Sequence, residues 1–369
     1  MPHSKHKKIG VIGLGIIGHG VTANLRRKGF PVFVWNRTPR PVPNFVGSPA
    51  ELAALCDYIQ IYVSDDKALL QTVNQLNQKL ATRHIVIAHS TVAPDSMRAA
   101  AEIVEGRGAR FVEAPFTGSK AAAEKGELVY YIGGNEGALR EARAILEASS
   151  KEIIEIGEIG QATAIKIATN MITAASVQAT AEALALVQAL GVPLGKFVEA
   201  MQVNASYSTT LAMKMPKMIK RDFEPHFSVK HMLKDVQIAN QLGLSRYIDL
   251  GVTAAACDRL LEQIQWGYGD DDYSAVARKY LAETGPTGYE EHQIGEQQDE
   301  QAKGSAITGA VESFVGSDST SSGQTESRPT RAPDSDEAKE ATALRRGFLT
   351  QLLRRWRQLL KRPVSSKEV

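Results

Sequence analysis

Short apolar runs recur through the first half of the chain, at 8–12 (KIGVI), 31–35 (PVFVW), 58–63 (YIQIYV), 84–88 (HIVIA), 110–113 (RFVE) and 128–132 (LVYYI). Helical patterns or loops separate them. Strand and helix in alternation predict a mostly parallel, doubly wound sheet with helices on both faces. From about Gly160 the strand-like runs stop. Residues 161–191 read as one long, mostly apolar helix that would be buried on several sides. Further helical segments follow at about 194–203, 208–219, 228–243 and 249–266, with Gly191-Val192-Pro193 and Gly243 as breaks. The expected fold is an α/β domain over 1–162 followed by an all-α domain over 163–288.

After about Thr287 the pattern is lost. Residues 289–343 are rich in Gln, Ser, Thr, Gly and acidic groups, and hold few large apolar residues. Such a segment buries too little surface to offset the entropy of ordering, so it is expected to be a disordered linker. Over 344–369 a helical period returns. Leu349, Leu352, Leu353, Trp356, Leu359 and Leu360 share that stretch with Arg345, Arg346, Arg354, Arg355, Arg357, Lys361 and Arg362. This is the pattern of a basic amphipathic helix, suited to an anionic membrane surface or a protein partner; a passive tail is the plainer alternative.

Composition changes this picture little. The 369 residues suit two domains and a tail, and 43% hydrophobic residues suffice for a core. A net charge of +2 gives no strong nucleic-acid signal. Cys56 and Cys257 match no metal spacing and suit a reducing, cytoplasmic compartment. The lysines before Ile9 imitate a secretory leader, but the apolar run carries Gly10, Gly13 and Gly15 and has no small-residue cleavage site after it. No stretch reads as a transmembrane helix.

Chemistry enters at Gly13-Leu14-Gly15-Ile16-Ile17-Gly18. A G-x-G-x-x-G that follows a strand, opens a helix and returns to a second strand about thirty residues on is the dinucleotide fingerprint of a Rossmann domain. Gly13 permits the tight turn, Gly15 the approach of the pyrophosphate, and Gly18 the packing of helix on strand. The second strand ends in Asn36-Arg37-Thr38, with no carboxylate to hold ribose hydroxyls. Arg37 is able to pair with a 2′-phosphate, so NADP(H) is the expected cofactor and NAD(H) the second choice. The plainer reading of Arg37 is a solvated surface charge.

Three further segments stand in order. They are Glu113-Ala114-Pro115-Phe116-Thr117-Gly118-Ser119-Lys120, then Gly157-Glu158-Ile159-Gly160-Gln161-Ala162 with Lys166 and Asn170, then Lys234-Asp235. Lys166 and Asn170, four apart, share one helix face. A lysine on a mostly apolar helix loses solvation, which suits general acid–base work; snorkelling to the surface is the alternative. The hydroxyls and N–H groups of Thr117-Gly118-Ser119 suit a substrate carboxylate, or else a simple helix cap. Lys234-Asp235 is otherwise a common surface pair.

With the fingerprint, this order resembles the β-hydroxyacid dehydrogenase family over about residues 8–285. The Gly-Ser-Lys at 118–120 is most similar to its glyoxylate/succinic semialdehyde reductase group. The resemblance implies Lys166 as catalytic acid/base, and Asn170 with Thr117, Gly118 and Ser119 on the substrate. It implies Lys234 near both substrate and nicotinamide, Thr91 beside the nicotinamide, and Val63 and Ser64, ending the third strand, on the adenosine side through backbone. Glu113, Thr117 and Ala162 stand where Asp, Ser and Gly are frequent in the family, which leaves the substrate open.

The leading expectation is an NADPH-dependent reductase of a small aldehyde or keto acid. The alternatives are a 3-hydroxyisobutyrate-type dehydrogenase, an imine reductase on the same fold, or a non-catalytic NADP-binding scaffold. Lys166 speaks against the last two, which often lack it. The eight histidines form no ligand cluster, so no metal is expected. The long apolar helix suggests a homodimer or homotetramer.

Overall fold

The computed structural model describes residues 7–281. The linker and basic tail expected over 289–369 lie outside them. The N-terminal part runs β1 (Ile9–Ile12), α1 (Ile16–Arg27), β2 (Val32–Trp35), α2 (Pro49–Leu55), β3 (Tyr58–Ile61), α3 (Asp66–Asn77), β4 (Ile85–Ala88), α4 (Pro94–Glu105) and β5 (Arg110–Glu113). It continues with β6 (Phe116–Thr117), α5 (Lys120–Lys125), β7 (Leu128–Gly134), α6 (Glu136–Leu146) and β8 (Ser150–Gly157). Only helices follow: α7 (Gln161–Ala189), α8 (Leu194–Gln202), α9 (Thr209–Lys220), α10 (Val229–Ser245), α11 (Gly251–Gln265) and a 3₁₀ helix (Tyr273–Lys279).

The strands form one sheet in the order β2-β1-β3-β4-β5-β7-β6, with β8 also paired to β7. β2 to β5 run parallel with β1; β7 is antiparallel to β5 and β6 and parallel to β8. Every residue of β1, β3 and β4 is buried, because helices cover both faces. Doubly covered parallel strands therefore read as mostly apolar runs, with Gln60 of β3 the buried polar exception. One core face packs Val11, Leu25 and Ile87; the other packs Ile12, Leu69 and Val86.

Three departures from the expected pattern have local causes. β3 stops at Ile61, so Tyr62, Val63 and Ser64 lie in the turn after the strand. β8 gave no period-2 signal, since it buries Ile153 but exposes Glu152, Ile154 and Glu155. β6 is two residues long, too short to carry a period. The helical half agrees with its periodicity to within two or three residues. Its core joins Val177, Ala181, Leu184, Met218, Met232 and Val236. Among the described residues α7 is not covered on all sides: Ile172, Leu186 and Leu190 are exposed. A small cluster of Ile167, Ile238 and Ala239 with Ala93 and Met171 packs α7 and α10 against the start of α4.

Candidate active site

The turn after β1 is shaped by its glycines. Gly13 has φ +94°, and a Cβ there would lie 2.0 Å from the Tyr62 carbonyl oxygen. A Cβ on Gly18 would lie 2.0 Å from the Gly13 carbonyl oxygen. Gly15 faces open space, with nothing within 4 Å of where its Cβ would be. It is the N-cap of α1, and no side chain caps that helix. The helix start thus presents unclaimed N–H groups and the positive end of its dipole beside an open backbone, a combination that fits a pyrophosphate. Leu14 N donates to Asn36 Oδ1 at 3.0 Å, and Asn36 Nδ2 donates to the Thr38 carbonyl at 2.8 Å. Asn36 is therefore a brace between the glycine turn and the end of β2. Arg37 and Thr38 are exposed beside it.

A cavity of about 430 Å³ opens at the carboxyl ends of the strands. Gly15 to Gly18 form one wall; Val63, Ser64, Ser90 and Thr91 form the rim of the sheet; and Phe227, His231, Lys234 and Asp235 close it from the helical half. This is where open α/β sheets place their ligands. Ser90 Oγ accepts from Val63 N at 3.1 Å and fixes the two rim loops together. Behind the rim the Tyr62 and His89 rings stack at 4.2 Å. His89 Nδ1 donates to the Ala114 carbonyl at 2.8 Å, and burial drives the imidazole pKa down to about 3, so the ring is neutral.

The first turn of α7 is anchored by one buried carboxylate. Glu113, at the end of β5, accepts from Gly160 N and Ala162 N at 2.8 Å each, from Thr163 N at 3.2 Å and from Thr163 Oγ1 at 2.6 Å. A residue far away in sequence thus supplies the acceptors that a local cap normally provides. Burial raises the Glu113 pKa, and these four donors oppose that shift.

One turn further along α7 sits Lys166, partly buried. Its Nζ donates to Asn170 Oδ1 at 2.9 Å, and Asn170 Nδ2 donates to Asp235 Oδ2 at 2.6 Å. Lys234 Nζ donates to Asp235 Oδ1 at 2.6 Å and also to the Thr91 carbonyl. A continuous chain of polar groups therefore joins Lys166 to the rim of the sheet. Burial lowers the Lys166 pKa to about 8; the charge of Asp235 opposes the shift and that of Lys234 adds to it. Such an amine can give a proton below pH 8 and take one above it.

Most of the residues singled out in the sequence meet here. Gly15 to Gly18, Val63, Ser64, Thr91 and Lys234 line the cavity, and Lys166 and Asn170 stand behind Asp235. The 117–119 turn is less directly placed. Phe116 lines the cavity, Thr117 is exposed, and Ser119 caps α5 by accepting from Ala122 N at 3.3 Å. The helix-cap reading accounts for the Ser119 side chain. Gly118 has φ +143°, and a Cβ there would meet Leu128 at 2.7 Å. Asp235, Glu113 and His231 were not among the expected site residues. Asp235 left a trace as the neighbour of Lys234, and Glu113 as the first residue of the 113–120 motif, with no role given to it. Among the described residues no group of three or more His, Cys, Asp and Glu is placed to hold a metal ion, and no helix is long and apolar enough to cross a membrane.

The same two parts are visible in known proteins. Residues 8–157 match the NAD binding domain of 6-phosphogluconate dehydrogenase. Residues 160–280 match the NAD-binding domain of NADP-dependent 3-hydroxyisobutyrate dehydrogenase. The chain is 31% identical to glyoxylate/succinic semialdehyde reductase 1 of Arabidopsis thaliana, over 73% of this chain and 96% of that protein. It is 30% identical to the cytokine-like nuclear factor N-PAC of Homo sapiens, over 74% of this chain but only 52% of that protein. Its fold matches that of Mycobacterium tuberculosis 3-hydroxyisobutyrate dehydrogenase solved with L-serine, with TM-score 0.69 and 24% identity, over 75% of this chain and all of that one.

Proposed function

The chain belongs to the β-hydroxyacid dehydrogenase family of NAD(P)-dependent oxidoreductases acting on CH–OH groups, and on that premise we propose that it reduces a small aldehyde acid, glyoxylate or succinic semialdehyde, with NADPH, using Lys166 as the general acid. Residues 1–162 carry the cofactor in this reading, and 163–288 complete the substrate side.

The observation that carries the proposal is the partly buried Lys166 amine, with its pKa lowered to about 8, tied through Asn170 and Asp235 to a cavity shared with Gly15 and Thr91. A reduced nicotinamide, when bound, supplies a hydride to the carbonyl carbon. Lys166 gives the matching proton to the carbonyl oxygen, so that the aldehyde gains both and leaves as the alcohol. Asn170 holds the amine by accepting its hydrogen bond, and Asp235 holds Asn170. The positive charge of Lys234, shared with Asp235 and the Thr91 carbonyl, favours the neutral form of Lys166 after transfer. The Thr117 hydroxyl and the Gly118 backbone remain as partners for the substrate carboxylate. Arg37 and Thr38, exposed at the end of β2, receive the 2′-phosphate.

The similarity to the nuclear factor N-PAC favours a second reading, a cofactor-binding module without turnover. One assay separates them. NADPH oxidation is followed with glyoxylate, succinic semialdehyde and methylmalonate semialdehyde, and repeated with NADH. Turnover on the first two, faster with NADPH, supports the reductase. Cofactor binding without turnover on any of them leaves the module.

A further inference from the structure

We infer that Glu113 is a positioning residue for the reaction: its carboxylate sets how closely the first turns of α7 stand to the sheet, and with that the place of the Lys166 amine relative to the 116–118 turn. The inference rests on the reductase reading above and adds to it the group that holds the proton donor in place.

The mooring is rigid on the sheet side. Glu113 is fully buried, and its backbone lies between Ala88 of β4 and Gly133 of β7. The segment that follows stays bonded to the same strands. Ala114 N donates to the Ala88 carbonyl at 2.7 Å, Tyr131 N donates to the Pro115 carbonyl at 2.9 Å, and Phe116 and Thr117 pair with Tyr130 and Val129. Gly133 gives the Glu113 side chain its room, since a Cβ there would lie 2.7 Å from Glu113 Oε1.

On the helix side, α7 has no local cap. Its N-cap is Gly160, at φ +96°, and no side chain caps the helix from that position. The N–H groups of Gly160 and Ala162 close on Glu113 Oε1 instead, and the N–H and hydroxyl of Thr163 close on Oε2. Backbone N–H groups only donate, so the ionised carboxylate is the form that satisfies them all, and it also meets the positive end of the helix dipole.

Thr163 precedes Lys166 by three residues and Asn170 by seven, on one face of the helix. About 4.5 Å of helix therefore separates the last donor to Glu113 from Lys166. The same glutamate begins the strand-bonded run that ends at the 116–118 turn. One carboxylate thus joins the two sides between which a substrate would be held. A weaker hold would let the first turn of α7 draw off the sheet and admit water to the amine, and a misplacement of about 1 Å at a reacting group costs on the order of a hundredfold in rate.

The experiment uses the full-length protein with Glu113→Gln and Thr163→Val. Gln offers one acceptor oxygen where Glu offers two; Val keeps the shape of Thr and removes one donor of the four. The quantities read are the Kd for NADPH, kcat for whichever aldehyde acid the wild type reduces faster, and the pH through which reduction falls. The charged groups that face Lys166 are Asp235 and Lys234 of α10, and neither variant alters them. In Glu113→Gln kcat should fall about ten- to a hundredfold with the Kd for NADPH unchanged. The pH limb should move upward from about 8, because the amine regains water. Thr163→Val should move both in the same direction by less. In the cofactor-free protein, the Ala162 and Thr163 amides should exchange hydrogen faster in both variants. An unmoved kcat and pH limb, or a kcat that falls only in step with lost NADPH binding, would overturn the inference and leave the reductase reading standing. If Glu113→Gln does not bind NADPH, Thr163→Val decides on the same quantities. A wild-type protein that turns over neither acid would overturn the inference together with the reductase reading.

Discussion

At the scale of single residues, the proposed reaction depends on where one proton sits. Withdrawal from water makes the ammonium form of Lys166 costly, and Asp235 restores part of the loss without removing it. The outcome is an amine balanced near the working pH, which a surface lysine would not be. Asn170 matters because its carbonyl faces Lys166 and its amide faces Asp235, so one side chain orients both. The proposed preference for NADPH rests on a different residue. Arg37 is exposed and stands where a carboxylate would otherwise hold ribose hydroxyls. Replacing Arg37 by Ala should lower the ratio of kcat/KM with NADPH to that with NADH by about ten- to a hundredfold, the worth of one or two charge-assisted hydrogen bonds. Steady-state kinetics with the two cofactors checks this, and an unchanged ratio would return Arg37 to the solvated surface charge. Lys166, Asn170 and Lys234 were singled out because their motifs, in that order, resemble the β-hydroxyacid dehydrogenase family; spacing alone put Lys166 and Asn170 on one helix face and left Lys234 a surface pair. Asp235 was half legible. Glu113 was noticed as part of its motif, but its hold on the start of α7 was not legible, since a Glu at a strand end looks the same whether or not a distant helix meets it.

At the scale of elements, the account turns on how α7 and the loop before α10 are held. The Glu113 carboxylate takes four hydrogen bonds from the first turn of α7, fixing the helix one turn before Lys166. The loop 222–228, whose last residues wall the cavity, hangs on Asp272. That carboxylate accepts from Lys214 Nζ through both oxygens at 2.8 Å, from His226 N at 3.0 Å and from Ser274 Oγ at 2.7 Å. Lys214 and Asp272 are both buried, with side-chain exposures of 3% and 0%. Breaking a buried pair by removing one charge leaves the other uncompensated. Asp272→Asn should therefore destabilise the protein by about 3–5 kcal/mol, read as a lower denaturant midpoint; a shift under 1 kcal/mol would show that the pair does little. The helices and the central strands were legible because continuous burial or a 3.6-residue stripe writes itself into the sequence. β8 and β6 were not, the one because its outward isoleucine breaks alternation, the other because two residues have no period.

At the scale of the molecule, a nucleotide-binding sheet and a helical half share one cleft, and the candidate site groups come from both. Lys166 and Lys234 lie on helices; Thr91 and the glycine turn lie at strand ends. α7 keeps apolar residues that the described residues do not cover: Ile172 is 68% exposed and Leu190 71%. We propose that a second copy of the chain covers this face. Light scattering with size exclusion should give a dimer or tetramer for the wild type and a smaller species for an Ile172→Lys, Leu186→Lys double variant. A monomeric wild type would contradict this. The sequence foretold that α7 needs cover, but the identity of the cover depends on a surface that no periodicity records. The chain also spans about half the length of the N-PAC relatives, so likeness to them speaks to this shared part alone.

The measurement that bears most directly on Lys166 as the proton donor is the pH dependence of kcat/KM in both directions, for wild type and Lys166→Ala. Burial holds the Lys166 pKa near 8. The ammonium needed for reduction is present below that value and lost above it, while the free amine needed for oxidation appears above it. Reduction should therefore fall, and oxidation rise, through about pH 8. Lys166→Ala should lose about 10²–10⁴ of the rate together with both limbs, while still binding NADPH. Limbs that persist in Lys166→Ala, or a wild-type profile with the two directions running the same way, would contradict the account.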